Sequence, residues 1–179
     1  MIYLPHILQE IHISKEIWNE AKQLIKTGII KKLSAAKQNI DIDTEIAAGI
    51  YIYALEEFGK LLLLKESQTV DEKYIIKYRD GFRSHDFKFN KAFDYLQNSG
   101  FGECIIVNDD GAFTPDAFSW KNFTIELLAQ TEARLGIFYV DFTKSENDSY
   151  EILKIPTVNP NKLNEAINKL EEIIKTFEL

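Results

Sequence analysis

The chain has 179 residues, with 28 acidic and 21 basic side chains and a formal net charge of −7, which argues against a protein that coats duplex nucleic acid through counterion release. The lone cysteine, Cys104, excludes an internal disulfide, and the absence of paired Cys/His spacing excludes a zinc finger. A chain of this length can bury roughly 70% of its unfolded surface in a single core. With no Pro/Gly/Ser-rich linker and no repeat, one domain spanning 1–179 is expected. The opening MIYLPHILQEIH has neither a basic n-region nor a long apolar run, so no signal peptide and a cytoplasmic location are expected.

Apolar residues Ile17, Trp18, Ala21, Leu24, Ile25 and Ile29 recur at helical spacing from Ser14, a suitable N-cap, to about Leu33. Asp43 caps a second predicted helix that runs to about Glu66. Its stretch from Ile46 to Leu64 is apolar on every side except at Glu56, Glu57 and Lys60, the mark of a central helix. Those clustered charges make insertion into a bilayer expensive, so no membrane span is expected.

Thr69 followed by Glu72 has the form of a capping box and predicts a third helix reaching about Asn98. Gly100 is its stop signal and Gly81 a site of bending. The segment 101–118 breaks the pattern: Asn108, Asp109, Asp110 and Gly111 make a turn, Pro115 bars a helix, and four acids stand without a base. A surface excursion is expected there. A fourth helix is predicted from about Ser119 to Leu135, and IFYVDFT with YEILKI reads as a small β-hairpin near residues 137–155. Asn159 and Pro160 open a last helix in a cap-plus-N1 arrangement, with Leu163, Ile167, Leu170, Ile174 and Phe177 on its apolar face. The sum is a mainly α protein, an antiparallel helical bundle with one small hairpin.

Two polar residues interrupt apolar seams. On the second helix Ala47, Ile50, Ala54, Glu57, Leu61 and Leu64 step by threes and fours, which places Glu57 toward the core. On the third, Ile75, Tyr78, Phe82, His85, Phe89, Ala92 and Leu96 step likewise, with His85 as the intruder. A short loop near Ser67 would make these helices antiparallel neighbours and bring Glu57 and His85 to one depth. The pair could serve chemistry, or it could be a buried hydrogen-bonded lock on helix register. Around His85 the bases Lys77, Arg79, Arg83, Lys88 and Lys91 outnumber the acids Asp80 and Asp86, and aromatic residues interleave with them. That mixture fits either single-stranded RNA or a solvated face over a core. The three histidines are scattered and no Gly-rich phosphate loop occurs, so no metal or cofactor is expected.

AAGIYIYALEEFGKLLLL, then SHDFKF, then IFYVDF occur in that order, and the chain thereby resembles the AbiV-type abortive infection proteins, a branch of the HEPN superfamily of helical domains. The resemblance runs from about Trp18 to the terminal helix. Its motif residues are Glu56, Glu57, Gly59 and Lys60 in the Glu-Glu-x-Gly-Lys piece and His85 and Lys88 in the His-x-x-Lys piece. It implies a HEPN-like bundle and a bacterial role against phage, in which growth or translation of the infected cell is halted. It further implies metal-independent cleavage of host or phage RNA by a homodimer, through an arginine, a polar residue and a histidine. Arg79, Asp80 and His85 fit that pattern, with Arg83 a second choice. Positions 79 and 85 would lie about 120° apart on an unbroken helix, so a shared site needs a bend at Gly81 or a second subunit. On this reading His85 and Arg79 are catalytic, Glu57 orients the imidazole, and Lys60, Arg83 and Lys88 meet RNA phosphates. The rival expectation is a non-catalytic module that binds a phage or host protein through the acidic excursion, with Phe101 and Phe113 exposed.

Overall fold

The computed structural model describes residues 9–98, 142–144, 150–152 and 159–178. Among these the protein is mainly helical, with a small three-stranded antiparallel sheet and a two-stranded hairpin. The Ser14 hydroxyl accepts a hydrogen bond from the Ile17 amide and begins α1 (Lys15–Asn39), which runs further than its apolar periodicity suggests. Asp43 does the same for Ile46 at 2.9 Å and begins α2 (Thr44–Lys65). These caps satisfy amides that have no partner inside the helix.

Helix α2 is the central element, buried along nearly its whole length, with Leu55, Phe58, Leu61 and Leu64 essentially removed from water. Burying each such side chain is worth roughly 1.5–3 kcal/mol. Helix α1 packs antiparallel to it: the Trp18 indole donates to the Leu64 carbonyl near one end, and Lys32 reaches Glu57 toward the other. No helix among the described residues is long and apolar enough to cross a membrane.

The predicted third helix is only half present. Residues 68–77 form β2 (Gln68–Val70) and β3 (Lys73–Lys77), which pair antiparallel with Thr69 opposite Tyr74. Asp71 and Glu72 take φ values of 49° and 61°, the left-handed conformations that a two-residue type I′ hairpin turn requires at both central positions. What reads as a capping box is therefore a strand end and its turn. The third strand, β1 (Glu10–Ile13), comes from the start of the described residues and pairs with β3 in the order β1-β3-β2, with Ile11 opposite Ile76. Val70, Tyr74, Ile75 and Ile76 suit a pleated surface better than a helix, and Ile76 is buried against the core.

Residues Tyr78–Phe82 follow as one π-helical turn, closed by the Arg83 amide donating to the Tyr78 carbonyl at 2.9 Å. Ser84 then restarts the chain as α3 (His85–Asn98), its hydroxyl accepting from the Phe87 amide at 3.2 Å. The expected bend at Gly81 is thus a full change of element. Gly81 is buried, and a Cβ there would stand 3.1 Å from the Lys77 Cβ.

The reversal of direction is taken by the hairpin, so α3 does not return antiparallel to α2. The pairs Glu56–His85, Gly59–Lys88 and Glu66–Lys91 advance together along both helices.

Strands β4 (Phe142–Lys144) and β5 (Tyr150–Ile152) pair antiparallel with Thr143 opposite Glu151, within the expected hairpin. Asn159 caps α4 (Pro160–Thr176) by accepting from the amides of Asn161 and Lys162, and Leu163, Ile167, Leu170, Ile174 and Phe177 are buried. Helix α4 lies antiparallel to α1, tied by Lys26 to the Phe177 carbonyl and by Lys37 to Glu171 at 2.8 Å. Phe177 closes the core in edge-to-face contact with Phe58 and Tyr95. The expected excursion at 101–118, the stop at Gly100 and the helix from Ser119 to Leu135 lie outside the described residues.

Candidate active site around His85 and Glu56

Gly59 governs the geometry. A Cβ at this position would lie 2.6 Å from the Lys88 carbonyl carbon and 2.8 Å from its Cα, so only hydrogen fits between α2 and the main chain of α3. One turn earlier on each helix, at positions 56 and 85, that close approach brings two side chains together. The Glu56 carboxylate accepts from His85 Nδ1 at 2.7 Å. Glu56 is almost enclosed, its side chain 7% exposed, whereas the imidazole is 54% exposed. Removing a carboxylate from water is costly unless it is hydrogen-bonded, and His85 is one of its partners.

The proton between the two belongs on Nδ1, because an ionised carboxylate only accepts. In the neutral ring Nε2 then carries the lone pair, and the carboxylate contact at Nδ1 fixes the ring's rotation. A histidine so oriented is the general base of hydrolytic dyads and triads. His85 is also the first residue of α3, where the positive end of the helix dipole favours an anion.

Glu57, expected to orient His85, faces elsewhere. It holds Lys60 through both carboxylate oxygens at 3.0 Å and lies 3.8 Å from Lys32 on α1. The partner of His85 is Glu56, one position earlier. The reason is helical phase: α3 does not pack on the Ala54–Glu57–Leu61 seam but on the face that carries Glu56 and Gly59. The glycine in mid-helix was the available signal, since such a residue marks a close approach.

The remaining predicted site residues divide by location. Lys60, already on Glu57, also lies 5.9 Å from the centre of the Phe82 ring. Lys88 is 4% exposed, with its main chain against Gly59, so it braces the helix crossing. Arg83 is exposed, one residue before the helix-capping Ser84. Arg79 sits on the π turn with its side chain 64% exposed and 3.9 Å from Asp80. Its side chain is not joined to His85 by any contact among the described residues. Among those residues, too, no three His, Cys, Asp or Glu side chains converge as a metal ion would require. The chain matches no known protein family, no curated protein and no solved structure.

Proposed function

We propose that the protein is an abortive-infection defence protein of the AbiV type with a HEPN-like bundle, and that it cuts host or phage RNA without a metal, as a cytoplasmic homodimer. The observation that carries this reading is the Glu56–His85 pair, a buried carboxylate holding a half-exposed imidazole by Nδ1 at 2.7 Å. Nε2 takes the proton from a ribose 2′-hydroxyl, and the oxygen attacks the adjacent phosphorus. The P–O5′ bond breaks and a protonated base returns a proton to the leaving 5′-oxygen, which gives a 2′,3′-cyclic phosphate end. The exposed Arg83 and Arg79, with the N-terminal end of α3, supply positive charge for the developing phosphorane. In the homodimer the second subunit would complete the set of groups around each His85.

The burial of Glu56 and Lys88 favours a second reading, in which the cluster locks α2 onto α3 and defence proceeds by binding a phage or host protein. The surface expected for that partner, 101–116, lies outside the described residues. The two readings separate in one experiment, with wild-type protein and the His85→Ala variant incubated with total RNA in excess chelator. Cutting by wild type alone, with cyclic phosphate ends and both proteins folded, is expected. An inactive wild type, or a variant that cuts equally well, would overturn the ribonuclease.

A further inference from the structure

A cleft of about 330 Å³ opens between the C-terminal end of α2, the β1–β3 pair and the first turns of α3, a size at the lower end of small-ligand sites. Leu63 and Ile75 give it an apolar lining, and Phe87, 41% exposed, adds an aromatic face. Its charges come as opposites. Lys91 holds Glu66 at 2.6 Å, and Glu10 stands directly across from Lys77 in the β1–β3 register. Their sum is zero, which suits a flat, uncharged group better than a free phosphate.

From the mouth of the cleft, exposed Lys77, Arg79 and Arg83 follow the end of β3 and the π turn and stop two residues short of His85. Along α2, Leu63 is seven residues beyond Glu56, about 10 Å at a helical rise of about 1.5 Å per residue. Neighbouring nucleotides of one strand bridge such a separation.

We infer that this cleft holds an unstacked nucleobase flanking the cut in single-stranded RNA, and that it selects bases with an amine where cytosine carries N4 and adenine N6. The inference rests on the ribonuclease reading. Phe87 stacks on the base, as aromatic side chains do in single-strand binders. Lys77, Arg79 and Arg83 follow the phosphates toward His85. Lys91 holds the Glu66 carboxylate at 2.6 Å, whereas Glu10 and Lys77 are strand register partners that no ion pair joins among the described residues, so Glu10 is the carboxylate that accepts from the amine of cytosine or adenine. Uracil presents a carbonyl oxygen at that place and is disfavoured.

The test is anisotropy of fluorescent 2′-O-methyl oligomers of adenine, cytosine or uracil, in which the attacking hydroxyl is blocked and binding is read without cutting. Wild type binds the adenine and cytosine oligomers more tightly than the uracil one. Phe87→Ala weakens adenine binding about tenfold, equivalent to about 1.4 kcal/mol, Phe87→Tyr retains it, and Glu10→Gln abolishes the preference over uracil. Equal binding by wild type and a folded Phe87→Ala, or no preference among oligomers, overturns the cleft. If wild type nevertheless cuts RNA, the ribonuclease stands without it. If binding depends on Phe87 but no RNA is ever cut, the cleft stands as an RNA site and the ribonuclease falls. If wild type neither binds nor cuts, both fall.

Discussion

Replacing Gly59 by alanine tests how the fold builds the site. In an exposed helix the change would stabilise by roughly 0.5–1 kcal/mol, because alanine has less backbone freedom to lose. Here the new methyl would meet the Lys88 main chain, 2.6 Å from its carbonyl carbon and closer still to the oxygen, where ordinary contact begins at 3.4 Å. Main chain cannot rotate away as a side chain does, so α2 and α3 must separate by about an ångström in a close-packed interior. Overpacking of this kind costs typically 1–3 kcal/mol, which exceeds the helix-propensity gain. The Glu56–His85 bond, one turn away at 2.7 Å, would lengthen past the range of a good hydrogen bond. Urea unfolding should therefore show Gly59→Ala destabilised by about 1–2 kcal/mol, with RNA cutting impaired in the fraction that remains folded. A variant as stable as wild type, with undiminished activity, would refute the close crossing and the role given to it.

Three further outcomes are expected. Glu57→Gln loosens the tie to Lys60 and Lys32 but leaves His85 in place, so cutting stays near the wild-type rate while thermal stability falls by under about 1 kcal/mol. Asn159→Ala removes the side chain that caps α4 at two amides and should cost about 1 kcal/mol, read from denaturant midpoints. The carboxyls of Glu16, bound by the Ser14 hydroxyl, and of Glu165, bound by Lys169, lie below their ordinary value of 4.5. Groups depressed in the folded state add stability above the unfolded value and lose it as pH falls through the folded one. Thermal melts should thus show a loss setting in as pH drops through about 4.5. It should be small, since both groups are at the surface, and the part owed to Lys169 should shrink further in high salt.

Much of the fold is legible in the sequence where the signals are local. Ser14, Asp43 and Asn159 each precede an apolar periodic run, and each is the N-cap of the helix it announces. The segment 68–77 is legible only with knowledge of its partner. Its central strand pairs with Glu10–Ile13, far away in sequence, and its turn uses Asp71 and Glu72 in left-handed conformations instead of the Asn-Gly or Asp-Gly pair that would mark a hairpin. Once those residues are strands, the seam that appears to run from Ile75 through His85 ceases to be one helix face. His85 stands out in the sequence as a polar residue among apolar ones, but its partner is Glu56, one position before the seam residue Glu57. Which carboxylate of Glu56 and Glu57 meets α3 depends on the helix crossing, and the crossing is fixed by the contact of Gly59 with Lys88.

In the proposed ribonuclease Glu56 orients His85 for proton transfer, and that role is read from the single-turnover rate of RNA cutting by wild type, Glu56→Gln and His85→Ala in excess chelator, with folding of each verified by circular dichroism. The rate should fall roughly 10²-fold or more in His85→Ala, as expected when an acid–base group is lost. In Glu56→Gln it should fall at least about tenfold, because a carboxamide can offer an N–H to Nδ1 and so favour the wrong tautomer. A folded Glu56→Gln that cuts as fast as wild type would contradict the claim.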